Sequence, residues 1–152
     1  MKKIKIITVL LISLSIFGFS QNECNVNSDG IAVKGYDVVS YFKGKAKKGK
    51  PEYMFNYKKV KYLFSCASNL KMFKENPKKY LPQYGGWCAY AMGTSGKKVN
   101  MDPKTFEIRD GKLYLFYKSF FNNTYTSWLK ENPIILKNTA DKNWDKIQQK
   151  SL

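Results

Sequence analysis

Three cysteines and no histidine set the chemistry open to this 152-residue chain. Without an imidazole, histidine-based metal sites, Ser-His-Asp triads and Cys-His nucleophiles are excluded within the chain, and with them most hydrolase mechanisms. Soft nucleophilic chemistry then falls to Cys24, Cys66 and Cys88. Cys88 stands in Gly85-Gly86-Trp87-Cys88-Ala89-Tyr90, where two glycines could let a partner approach the backbone and aromatic rings could wall a pocket. Against that reading, cysteine is among the residues most often buried as a small hydrophobe. Cys66 follows Phe64-Ser65 at the expected first turn of a helix, where a thiolate is favoured, and it could equally form a disulfide with Cys24 or Cys88. Cys24, close to the expected mature terminus, fits a disulfide partner better than a site.

Asp37 and Asp102 could add oxygen ligands to a thiolate, although carboxylates in such segments more often cap turns. Tyr36, Tyr84, Trp87 and Tyr90 could line a pocket for a flat or cationic ligand, although aromatic residues on strands more often form core.

The elements that must position these groups follow from periodicity. Tyr53, Phe55 and Tyr57 alternate with polar residues, and Val60, Tyr62 and Phe64 do so beyond Lys58-Lys59, which predicts a β-hairpin from Tyr53 to Phe64. Ser65 is placed to cap a helix carrying Ala67, Leu70 and Phe73, which Asn76-Pro77 closes. Phe106 and Ile108 before Asp110-Gly111, with Leu113 and Leu115 after it, predict a second hairpin. The segments from Phe121 through Trp128 to Glu131, and from Pro133 through Trp144 to Gln149, read as helices. The expected class is a small single α+β domain, a hairpin–helix unit followed by a second hairpin and C-terminal helices. No internal repeat or linker is evident, and the lysine-rich stretch Lys43 to Lys50 reads as an exposed loop.

The first twenty residues combine Lys2, Lys3 and Lys5, an apolar run from Ile6 to Phe17, and the small residues Gly18 and Ser20. This is the pattern of a cleaved export signal, with the mature chain starting at Gln21; the apolar run is shorter than the roughly 20 residues of a membrane-spanning helix. Residues 21–152 then form one domain outside the cytoplasm, in the periplasm or cell envelope. Loss of the three early lysines leaves 24 basic against 11 acidic residues, a formal charge of +13. With Arg109 the sole arginine, nucleic acid is not the expected partner, and peripheral contact with an anionic membrane surface is the alternative that the charge allows.

Gly35-Tyr36-Asp37-Val38-Val39-Ser40-Tyr41-Phe42, the stretch Tyr62 to Pro82, Tyr84 to Tyr90, Asp102-Pro103, Asp110 to Leu115 and Ala140 to Trp144 occur in an order that resembles exported YHS-domain proteins. Related short fingers of that kind hold heavy metals with Phe-Cys-Ser-x-x-Cys-x-x-x-Phe. Here the matching Phe64 and Phe73 are kept, but Ser65 and Asn69 replace both ligand cysteines, and hydroxyl and amide are poor ligands for soft metals. The longer exported branch is described as containing selenoproteins, which implies that a cysteine position, best matched by Cys88, tolerates selenium. The resulting expectation is a non-enzymatic exported YHS-like protein that binds a soft transition-metal ion or acts in thiol redox chemistry through Cys88, with Cys66 as second candidate. The alternative is an envelope interaction module using its aromatic surface and lysine-rich loop.

Overall fold

The computed structural model describes residues 23–151, so the expected export signal and its cleavage site before Gln21 lie outside the described residues. The chain is α+β. Helix α1 (Val38–Tyr41) precedes an antiparallel hairpin of β1 (Lys50–Tyr57) and β2 (Val60–Phe64), then come α2 (Ala67–Glu75), α3 (Pro77–Tyr80) and α4 (Ala89–Ser95). A second antiparallel hairpin, β3 (Asp102–Arg109) and β4 (Lys112–Phe116), leads to α5 (Thr124–Lys130) and α6 (Pro133–Lys150).

Both predicted hairpins and the helices after them are present, with local corrections. The cap of α2 is Cys66 rather than Ser65, whose hydroxyl is turned to Asp37 instead. The segment expected to be helical from Phe121 begins only at Thr124, because Asn123 caps α5 by accepting from the Tyr125 N–H.

The larger correction is that the chain does contain an internal repeat. The pairs Lys50↔Phe64, Phe55↔Tyr62 and Tyr57↔Val60 of the first hairpin recur as Asp102↔Phe116, Glu107↔Tyr114 and Arg109↔Lys112, and each pair shifts its register at the same place, between Lys50 and Met54 and between Asp102 and Phe106. Before each hairpin three consecutive residues take positive φ: Val33, Lys34 and Gly35 in the first half, Tyr84, Gly85 and Gly86 in the second. Each triplet leads into a short helix, α1 capped by Asp37 and α4 capped by Cys88. The cap's own N–H donates to the strand-entry loop in both, Asp37 to the Lys47 carbonyl and Cys88 to the Val99 carbonyl, each at 2.9 Å. Asp37 and Cys88 are therefore equivalent positions of one repeated plan.

Each half also builds its own aromatic core. In the first, Phe73 of α2 lies 5.1 Å from the Tyr62 ring and 5.0 Å from the Phe64 ring. In the second, Trp128 of α5 lies 6.0 Å from Tyr114 and 5.4 Å from Phe116, the strand residues in the matching places. The buried Tyr41 hydroxyl ties the halves together by donating to the Pro103 carbonyl at 2.7 Å.

Candidate functional site

Asp37 is fully buried, yet its carboxylate accepts five hydrogen bonds. Oδ1 takes the N–H groups of Val39 (2.9 Å) and Ser40 (3.3 Å), which is the capping role expected of a short polar side chain before a helix. Oδ2 reaches across the fold to the Ser65 N–H (2.8 Å), the Ser65 hydroxyl (2.7 Å) and the Asn69 amide (2.6 Å). The carbonyl oxygen of that amide accepts from Lys43 Nζ at 2.6 Å. Because lysine only donates and the carboxylate here only accepts, the amide orientation follows from the network. Ser65 and Asn69 thus serve to seat a buried carboxylate.

Above this network lies an open cleft of about 260 Å³ lined by Ser40, Lys43, Lys45, Lys47, Ser65, Cys66 and Asn69. The lysine loop is held in place by its backbone: the Lys47 N–H donates to Ser40 Oγ at 3.2 Å, and the Lys45 N–H to the Ser40 carbonyl at 3.2 Å. Among the described residues none of the three lysines has a carboxylate ion-pair partner. The half-buried Cys66 begins α2, and no side chain caps the first-turn N–H groups of that nine-residue helix. Three lysines and an uncapped helix start therefore line one cleft together with a thiol, a positive lining that favours anions.

Cys88, the first-ranked thiol of the sequence, is wholly buried. Its Sγ accepts from the Tyr117 N–H at 3.3 Å and lies 3.3 Å from Thr124 Oγ1. Since the Thr124 hydroxyl gives its hydrogen to the Tyr117 carbonyl (2.8 Å), the thiol is the donor toward Thr124. The Gly85-Gly86 backbone is indeed approached closely, but by the chain's own N-terminal segment. The Asn25 N–H donates to the Gly85 carbonyl at 2.8 Å, Asn25 Nδ2 donates to the Gly86 carbonyl at 3.1 Å, and a Cβ on Gly85 would stand 2.7 Å from the Glu23 carbonyl oxygen. Trp87 donates its indole N–H to that same Glu23 carbonyl at 2.8 Å.

The remaining candidates are placed as structure. Tyr84 is buried and donates to Asp141 at 2.8 Å; burial and that bond push its hydroxyl well above the usual range. Tyr90 donates to Glu131 at 2.8 Å. Tyr36 pairs with Lys48 and packs on the first core, and Asp102 accepts from the Thr105 hydroxyl at 2.6 Å as a turn cap. The four aromatics do not share one pocket: Tyr36 belongs to the first core, and Tyr84, Trp87 and Tyr90 to the second.

No disulfide joins the cysteines, all three of which are free. Cys24 is buried, and burial together with the adjacent Glu23 carboxylate pushes its thiol up to about 12. It borders a second cavity, about 340 Å³, lined also by Asp141 and Asp145, of which Asp141 is engaged by Tyr84 and by Lys137 at 3.0 Å. Among the described residues no group of three or more His, Cys, Asp or Glu side chains comes together to hold a metal ion, so the donor set for a soft-metal site is not assembled at Cys88 or Cys66. What sequence reasoning missed is that Lys43, Lys45 and Lys47 line one cleft with Cys66; the odd lysine spacing was visible, but the cleft was not.

No protein-family model, no curated protein and no solved structure matches this chain.

Proposed function

We propose that this chain is an exported, YHS-like binding domain that holds a small anionic ligand in the lysine-walled cleft and presents the Cys66 thiol to it for thiol–disulfide exchange. The observation that carries this reading is that three lysines without carboxylate partners among the described residues line one cleft with a half-buried thiol. Cys88 then keeps the second half packed rather than reacting. In the exchange, the Cys66 thiolate attacks one sulfur of an anionic disulfide, the S–S bond breaks, and the departing half leaves as a thiolate, so no outside oxidant is required.

Paired disulfide reagents test it. The dianionic 5,5′-dithiobis(2-nitrobenzoate) should modify Cys66 faster, relative to neutral 4,4′-dithiodipyridine, than it modifies a small free thiol, by roughly tenfold at low salt. Salt, inorganic phosphate or the pair Lys45→Ala and Lys47→Ala should erase that preference, and Cys66→Ser should remove the fast-reacting thiol altogether. An unchanged preference in the lysine variant, or fast reaction surviving Cys66→Ser, would overturn the assignment.

A further inference from the structure

The two halves differ most in how the second strand of each hairpin reaches the next helix. In the first half Ser65 and Cys66 suffice between β2 and α2; in the second, residues 117–123 intervene between β4 and α5. The added residues carry Phe120 and Phe121, which are 93% and 94% exposed. They are not loose. The Ser119 N–H donates to the Asn122 carbonyl at 2.8 Å, Lys118 bridges Asn123, and the Thr124 N–H donates to the Tyr117 carbonyl at 3.0 Å, so the loop is a closed turn with both rings at its tip. The rings stack edge to face with centroids 4.8 Å apart. Since the sister half makes the same hairpin-to-helix passage without this turn, the fold does not need it.

We infer that the Phe120–Phe121 tip is a docking wedge for the interfacial layer of an anionic lipid bilayer. Two observations favour lipid over a protein partner. The tip projects as two rings, whereas a stable protein contact needs on the order of 800 Å² from each side and a ring side chain offers only about 150–250 Å². Exposed Lys118 stands beside the rings, and residues 21–152 as a whole carry 24 basic against 11 acidic residues, an excess that supplies the long-range attraction by which a short apolar insertion holds at a charged bilayer. Five of the seven most exposed large apolar side chains, Phe120, Phe121, Leu129, Ile134 and Ile135, fall in this stretch of the chain. Among the described residues no helix is long and apolar enough to cross a membrane, so attachment through this tip is peripheral.

Co-sedimentation of residues 21–152 with phosphatidylglycerol–phosphatidylcholine vesicles, against phosphatidylcholine alone, tests the wedge. Binding should require the anionic lipid and weaken with salt, and the double variant Phe120→Ala/Phe121→Ala should bind roughly tenfold or more less tightly at the same salt. Both rings are exposed, so the variant should melt with the parent by circular dichroism, and Phe120→Trp/Phe121→Trp should restore binding. Equal binding of parent and alanine variant would overturn the inference. So would analytical ultracentrifugation showing a parent dimer that the alanine variant loses, since the tip would then serve self-association.

Discussion

Asp37 and Cys88 occupy the same place in two copies of one plan, and they do different work. The first half puts a carboxylate there, surrounds it with five donations, and leaves the space above open and lysine-lined. The second half puts a thiol there, gives it the Tyr117 N–H and the Thr124 hydroxyl, and packs both α5 and α6 against α4. Gly93 of α4 sits so near α6 that a Cβ on it would stand 2.7 Å from the Leu136 carbonyl oxygen. One frame can thus leave an open cleft or form a sealed scaffold, depending on whether the cap residue needs many partners and whether a further helix covers it.

The comparison breaks most visibly at the caps themselves. Asp37→Ala should cost on the order of 3 kcal/mol or more, because the Val39, Ser40 and Ser65 N–H groups and the Asn69 amide lose their acceptor together. Denaturant unfolding gives that number; a loss below about 1 kcal/mol would mean that water replaces the carboxylate.

Stability should also fall in alkali, through the seam where Cys24 lies. An unfolded thiol ionises near 9, whereas the folded one is pushed up to about 12, so the folded state holds its proton more tightly. That contribution is complete below pH 9 and is lost as pH rises from 9 toward 12. Cys24→Ala should flatten the decline, and an identical alkaline profile in that variant would exclude Cys24 as its source.

Cys88→Ser should cost less, about 1–2 kcal/mol, since a hydroxyl is shorter than a thiol yet can serve both Tyr117 and Thr124. Thermal melts quantify the cost, and Cys66 should react with disulfide reagents as before. A Cys88→Ser variant that lost the Cys66 reaction while remaining folded would couple the two halves chemically and undo their separation.

The smallest effect concerns the hairpin turns. Lys58 and Lys59 both take positive φ, 49° and 66°, in the turn that Asp110 and Gly111 form in the second half. Side chains disfavour that region and glycine does not, so Lys59→Gly should stabilise the protein by roughly 0.5–1 kcal/mol. A melting temperature that stays level or drops would show that the lysine contributes contacts worth as much as the strain.

Most of the fold could be read from sequence because the signals were local. Alternation marked Tyr53–Tyr57, Val60–Phe64 and the strands around Asp110-Gly111, and Pro133 marked a helix start, whereas Asn76-Pro77, read only as the end of α2, also opens α3. The repeat escaped because its shared strings are short, Tyr62-Leu63-Phe64 against Tyr114-Leu115-Phe116 and Lys74-Glu75-Asn76-Pro77 against Lys130-Glu131-Asn132-Pro133, and because the inserted turn at residues 117–123 breaks their spacing. Residues of the site were harder to rank. Cys88 had the more distinctive neighbours in sequence, but those glycines and aromatics are spent on Glu23, Asn25 and the second core. Cys66 had plain neighbours, and the lysines that line a cleft with it come from a loop before the hairpin, an arrangement that only tertiary folding creates.

The bond from Ser151 Oγ to Glu23 Oε1, 2.5 Å long, brings the two ends of the described chain side by side, with Lys98 Nζ holding the same carboxylate at 2.6 Å. A short peptide could therefore join them into a circle without disturbing either core. New ends could then be opened at the exposed Lys58-Lys59 turn, leaving each half's cap, strand and helix contacts in place.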